Sequence, residues 1–320
     1  MALRLNKIIR GGGEPLLAIV LSVMAFYSGV AAPLAPLPLL LFGMQISRLP
    51  FYAACASAFL VAAAVPMIVA VASQPLQLVA WWAFTVLGYE LYRRECTFLT
   101  TVAGLAFGMT ALTVVEVVGV SLVQGLPLDA VIAMALRLDE MKKEVAPLGF
   151  VGDVDFRVLA SAISYSFFGL IFGFWLLLAC ISALVLRSIL RLRPANRGLT
   201  TPFAARDLTC WRAPEGLIYL LVLSLLLMTL RFVPRAEEVF WGVRYLAKFG
   251  TNVAVGLCFV YFLQGIAIVT YYLNKIKMSV WAVLFLIVIV LQFGFLVLIA
   301  GILDNWWDLR RLQAGNRGVS

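Results

Sequence analysis

The sequence contains no histidine, and only 13% of its 320 residues are charged. Without imidazole, the commonest general base, proton shuttle and haem ligand are missing. The five cysteines, Cys55, Cys96, Cys180, Cys210 and Cys258, include no CxxC pair. That argues against a disulfide framework and against a thiolate–imidazole zinc site. Neither GxxxxGK[ST], HExxH nor GxSxG occurs, so nucleotide hydrolysis, zinc proteolysis and serine hydrolysis lack a motif. No catalytic residue, metal or cofactor is expected, and the chain does not read as an enzyme.

What fills the space is apolar. Hydrophobic residues make up 63% of the chain, and the mean hydropathy is +1.02. Soluble domains average about 45–50% apolar residues, and surface-to-volume scaling prevents a soluble fold from hiding so many more. Lipid must be the solvent for much of the surface. A backbone in lipid has to satisfy its own N–H and C=O groups, which leaves helices or closed barrels. The apolar stretches here are continuous rather than alternating, which selects helices.

Apolar runs cover residues 15–32, 39–46, 51–72, 76–92, 98–123, 158–186, 216–232, 249–273 and 280–303. The fold class expected is an all-α polytopic bundle of about eight to nine spans. It forms one integral membrane domain over residues 1–320. The second run is irregular. It follows the proline-dense stretch 33–38, expected to be extended or kinked because proline removes helix donors.

The net charge of +9 gathers at the edges of these runs, a pattern of membrane orientation rather than of a nucleic-acid surface. Arg93 and Arg94, the Arg-rich loop 187–214, Lys275 and Lys277 fall on one side with the N-terminus if every run crosses. The positive-inside rule makes that side cytoplasmic, in a multi-pass protein of a bacterial cytoplasmic (inner) membrane. With nine crossings the C-terminus, bearing Arg310, Arg311 and Arg317, lies outside, as one violation of the rule. Segment 128–157 reads as external and amphipathic, with Val131, Met134, Ala135, Leu138, Met141 and Val145 on one face. Trp241 and Tyr245 read as interfacial anchors.

Few residues carry chemistry. Glu116 lies inside an apolar run, where an ionisable group costs roughly 2.5–3.5 kcal/mol on insertion scales. It marks a substrate or ion site, or else a structural carboxylate near the outer interface. Arg231 and Asn252 fall on the same expected outer side, so the three can form one outward polar cluster; Arg231 can equally snorkel to headgroups. Gln264 and Gln292 are deeper, and interhelical hydrogen bonding explains both. Gln264 also precedes Gly265, where a helix or a ligand can approach closely. GxxxG patterns at Gly104/Gly108 and Gly169/Gly173 serve internal packing first and subunit docking second.

Four places carry a resemblance. They are the proline stretch 33–38, Trp211-Arg212-Ala213-Pro214, Phe262-Leu263-Gln264-Gly265, and the terminal segment 301–310 from Gly301 to Arg310. In their order the chain resembles the YybS-like family of uncharacterised bacterial membrane proteins, grouped with the S components of energy-coupling-factor transporters. The resemblance implies a solute-capture bundle with an outward pocket; the lining expected from the residues is 33–38, Glu116, Arg231 and Asn252, with Gln264 a further candidate for substrate binding. It implies a small-molecule solute, and coupling or ATPase subunits or self-association as partners besides the bilayer. The small residues presented to such a subunit would be Ala18, Ser22 and Ala25. The alternative function is a non-transporting membrane scaffold or assembly factor.

Overall fold

The computed structural model describes residues 14–28, 32–69, 75–94, 96–135, 156–192, 211–232, 242–276, 292–307 and 309–310. Every element among them is helical. In chain order the helices are α1 (Glu14–Tyr27), α2 (Pro36–Gly43), α3 (Arg48–Val69), α4 (Pro75–Arg93), α5 (Phe98–Gln124), α6 (Leu128–Ala135), α7 (Phe156–Tyr165), α8 (Phe167–Leu192), α9 (Gly216–Thr229), α10 (Val243–Ile276) and α11 (Gly294–Trp307). Short 3-10 turns at Ala32–Leu34 and Leu230–Phe232 precede α2 and extend α9.

Among the described residues, Arg48–Pro66, Phe98–Gln124, Phe167–Leu186 and Val243–Leu273 are long and apolar enough to cross a membrane. Glu14–Tyr27, Gly216–Phe232 and Gly294–Trp307 are apolar but shorter. At about 1.5 Å per residue, a helix the length of α1 reaches only ~21 Å of a ~30 Å hydrocarbon layer. The described helices therefore establish four candidate spans, and the expected count of eight to nine is not established by them. Of the last expected run, residues 280–291 lie outside the described residues, as do the basic N-terminus, 193–210 of the Arg-rich loop, 136–155, Trp241 and the tail beyond 310.

The chain divides into two compact units, 1–113 with 178–204, and 114–177 with 205–320. In the first, the proline stretch is helical rather than extended. Pro36 stands at the start of α2, and Pro38 still lies in its first turn. There the backbone N–H groups have no intrahelical acceptor, so a missing N–H costs nothing and the fixed φ favours the helix. Ala35, Leu37, Leu39 and Leu40 are buried. The Phe51 and Tyr89 rings stack at 3.7 Å between centroids, joining α3 to α4. They press on Gly43, where a Cβ would lie 2.9 Å from Tyr89. Gly104 and Gly108 face Leu91 and Leu87 of α4, at 3.2 and 2.6 Å from a would-be Cβ. This GxxxG pair serves internal packing.

In the second unit, α5 ends at Gly125, whose φ of +65° is the left-handed cap position that suits glycine. α6 then folds back so that Val131 and Ile132 pack against Val117 and Phe167. Met134, expected on the same face as Val131, is exposed. Helices α7 and α8 are separated at Ser166 by a side-chain insertion. In a continuous helix the Gly169 N–H would bond the Tyr165 carbonyl. Instead Asn252 Oδ1 accepts from Gly169 N at 2.9 Å, and Asn252 Nδ2 donates to Tyr165 O at 2.9 Å. A side chain inserted into the hydrogen-bond ladder is a recognised cause of helix breaks. Gly169 and Gly173 face Asn252 and Phe259, so this GxxxG pair also packs internally.

The tightest approach is between α10 and α11. A Cβ at Gly265 would collide with the Val297 carbonyl oxygen, and one at Gly301 with the Tyr261 carbonyl oxygen. Two backbones thus touch with no side chain between them. Gly301→Ala should lower the melting temperature of the detergent-purified protein strongly or prevent folding. Gly119→Ala should leave it unchanged or slightly raised, because nothing lies within 4 Å of a Cβ there and alanine is the better helix former by about 1 kcal/mol. Equal thermal shifts in the two variants would contradict the proposed crossing.

Candidate functional site

Because α10 and α11 touch at their glycines, the residues that follow on α11 are brought to Gln264. Gln264 is fully buried. Its Oε1 accepts from the Ala213 N–H at 3.1 Å, and its Nε2 donates to Asp304 Oδ2 at 3.0 Å. Asp304 Oδ2 also receives Arg310 Nη2 at 2.7 Å, in an ion pair whose side chains are both 0% exposed. Arg310 Nη1 donates to the Trp211 carbonyl at 2.7 Å. Arg212 Nη2 donates to the Asn305 carbonyl at 2.6 Å. That carbonyl belongs to the last turn of α11, where backbone acceptors lack partners and a cation is favoured. Three short segments quoted separately from the sequence, 211–214, 262–265 and 301–310, form one polar centre.

The centre is incompletely satisfied. Trp211 Nε1, Arg212 Nε, Tyr261 Oη, Asp304 Oδ1 and Asn305 Nδ2 are buried without a hydrogen-bond partner among the described residues. The Tyr261 hydroxyl lies beside Asn305, yet neither the hydroxyl nor Nδ2 makes a bond of good geometry. An orphaned buried polar group costs about 1–3 kcal/mol, and native structures contain few. Five around one network call for a physical reason. Nucleophile-and-base pairs are not among them, and no group of three His, Cys, Asp or Glu able to hold a metal occurs among the described residues.

The other expected site residues are placed differently. Asn252 is committed to backbone, with a third bond from Nδ2 to Lys248 O at 2.8 Å. Arg231 is exposed and lies 5.1 Å over the Tyr165 ring, so Arg231 and Asn252 share Tyr165 as a neighbour. Glu116 is half-buried, with Oε1 buried and unpartnered among the described residues. Among the described residues no hydrogen bond or ion pair joins it to Arg231 or Asn252. Ala18 and Ser22 are buried at 6% and 0% exposure, and Ala25 is half-buried. The side of α1 that stays exposed carries Leu16, Leu17, Val20, Leu21 and Met24 instead. Gln292 is exposed.

Sequence reasoning found Gln264 and missed its partners. Asp304 entered only within the terminal motif 301–310, and Arg310 there and as a basic residue of the tail. The available signal was that all three motifs carried polar residues, within an apolar run at Gln264 and at the margins of apolar runs in the other two.

The same bonds revise the end of the chain. Arg212 and Trp211 precede α9, and both bond the C-terminal end of α11. Tyr272, near the end of α10, donates to Leu309 O at 2.5 Å. The C-terminal end of α11 therefore lies on the Arg212 side, not on the opposite side as nine crossings required. Arg310 therefore lies at the same end of this unit as Trp211, whose carbonyl it bonds.

Long apolar helices and a charged centre buried among them define a polytopic helical membrane protein. The chain matches, over residues 16–305, the family described as "Predicted membrane protein (DUF2232)", and it belongs to that family. No curated protein matches it. No solved structure matches it.

Two outcomes follow from this geometry. Asp304→Leu leaves Arg310 buried without its carboxylate and should destabilise the protein by roughly 3–5 kcal/mol, whereas Asp304→Leu with Arg310→Met should recover much of that loss. Denaturant titration in detergent distinguishes them; a double variant no better than the single would show that the pair is not the main partner of either charge. In a cysteine-free background, Glu215→Cys and Trp307→Cys should react with an impermeant thiol reagent from the same side of the membrane. Labelling from opposite sides would remove the shared location of the end of α11 and the Arg212 segment.

Proposed function

We propose that the protein is a solute-binding or transport component of its membrane, with the capture site at the polar centre around Gln264. One observation carries this reading. Five buried polar atoms lack partners among the described residues beside a bonded framework: Gln264, Arg310 and Asp304 Oδ2 hold the shape, while Trp211, Arg212, Tyr261, Asp304 Oδ1 and Asn305 offer unused hydrogen-bonding capacity. Ionisable groups inside a membrane protein are expensive and mark solute or ion paths by default. Convergent polar groups in an apolar surround are the ordinary form of a small-molecule site.

The resemblance to S components supports the same role, and capture without chemistry agrees with the lack of histidine. The site differs from the outward cluster expected at Glu116, Arg231 and Asn252. Asn252 is used by the backbone, and the prolines of α2 belong to the first unit's packing. A scaffold has less in its favour, because both GxxxG pairs are consumed by internal contacts.

The test is the small-molecule content of the purified protein. Mass spectrometry of the full chain in detergent should find a polar compound retained by the wild type. It should be largely lost from Trp211→Phe with Asn305→Ala, provided that gel filtration shows a folded protein. Absence of any such compound, together with no thermal stabilisation across a library of polar solutes, would sink the reading.

A further inference from the structure

The unpartnered atoms fall into two chemical sets. Arg212 Nε, Trp211 Nε1 and Asn305 Nδ2 can only donate; Asp304 Oδ1 can only accept when ionised, and the Tyr261 hydroxyl can do either. Charge divides them the same way. Asp304 is neutralised by Arg310 at 2.7 Å, both side chains at 0% exposure. Among the described residues the acid paired with Arg212 is Glu215, at 3.8 Å with a side chain 73% exposed, while the Arg212 side chain is 18% exposed. An exposed partner at that distance offsets little of a half-buried cation's charge. The donor set therefore includes a cation whose paired acid among the described residues is an exposed one, and charge-assisted hydrogen bonds to a carboxylate are the strong ones.

A bare anion does not complete the centre, because Asp304 Oδ1 would face it unprotonated and unpaired. A bare cation leaves Arg212, Trp211 and Asn305 unused. Both sets are satisfied by a molecule that carries acceptor oxygens at one end and an N–H or O–H donor at the other. We infer that the ligand of this site is a small carboxylate with a neighbouring hydroxyl or amine. Arg212, Trp211 and Asn305 hold the carboxylate, and Asp304 Oδ1 and Tyr261 receive the donor. The inference rests on the capture reading above and adds the ligand class. It reassigns the cost of the orphaned groups, since each becomes bonded when the site is filled.

The experiment uses the full chain in neutral detergent, stripped of lipid and dialysed. Melting temperature is recorded against glycolate, glycine, acetate, acetamide and ethanolamine at equal ionic strength. Glycolate or glycine should stabilise saturably, at concentrations at least about tenfold lower than acetate or ethanolamine require. Trp211→Phe, which keeps an aromatic ring of smaller size and removes the N–H, should weaken that response about tenfold or more, as should Tyr261→Phe, the loss expected for a hydrogen bond to a charged group. A saturable response to acetamide or ethanolamine alone that the two variants abolish would keep the site and overturn the ligand class. Binding of glycolate or glycine unchanged in both folded variants would place it elsewhere and overturn the assignment. No response to any probe, with no retained compound by mass spectrometry, would mean ordered water only, and both the class and the capture reading would fall. A serine lipid headgroup carries the same carboxylate and amine. Nanodiscs with phosphatidylserine that compete with glycine, where phosphatidylcholine does not, would keep the ligand class and assign its source to the lipid, against the capture of a free solute.

Discussion

Two glycines facing one another across α10 and α11 let the backbones of those helices touch. The polar centre exists because of that contact. If Gly265 or Gly301 carried a Cβ, it would occupy the position of a carbonyl oxygen on the other helix, and the axes would have to separate. Asp304 would then move away from Gln264, whose bond to it spans 3.0 Å. Hydrogen bonds tolerate only a few tenths of an ångström before they weaken. The packing of two residues without side chains thus determines whether a charged network several residues away can form. Tyr261, at the same crossing, is both a neighbour of Gly301 through its carbonyl and a member of the centre through its hydroxyl.

A second constraint acts throughout the chain. Where water is excluded, each backbone donor and acceptor must be paired within the protein. Asn252 shows how this limits function: its amide replaces one helical hydrogen bond between Tyr165 and Gly169 and adds a third bond to Lys248. A polar residue used so fully has little left for a solute. Gln264 is also well bonded, but it sits among five atoms that are not. Polarity inside the hydrophobic zone therefore has two meanings here, and only the pairing of each atom separates them. Glu116 belongs to neither group. Its Oε1 is buried and unpartnered among the described residues, yet no second polar group is bonded to it there.

Much of the architecture was legible from composition and run length. The helical class, the helices near residues 51–72, 98–123 and 249–273, and the polarity of Gln264 all follow from local sequence. Less legible was the proline stretch. Counting prolines suggests an extended segment, but position within the first helical turn decides whether the missing N–H matters, and Pro36 opens α2. The number of spans was not settled by run length, because an apolar run records what can enter lipid, not how long a straight helix it forms; four candidate spans stand among the described residues. The small residues Ala18 and Ser22 were legible as a face, while the identity of what that face meets was not; both are buried within the chain.

By itself the sequence determined that this chain is helical, that it resides in a membrane, and that it has no imidazole with which to do acid–base chemistry. Those properties depend on local composition, and each residue contributes to them independently of its distant neighbours. Only the tertiary structure decided that Trp211, Gln264 and Asp304 share one centre and that the C-terminal end of α11 lies beside Arg212. Asp304 and Gln264 are 40 residues apart, and Arg310 and Trp211 are 99 apart. No periodicity links such positions; they meet because glycines let two helices touch and because buried charges must find each other where water is absent.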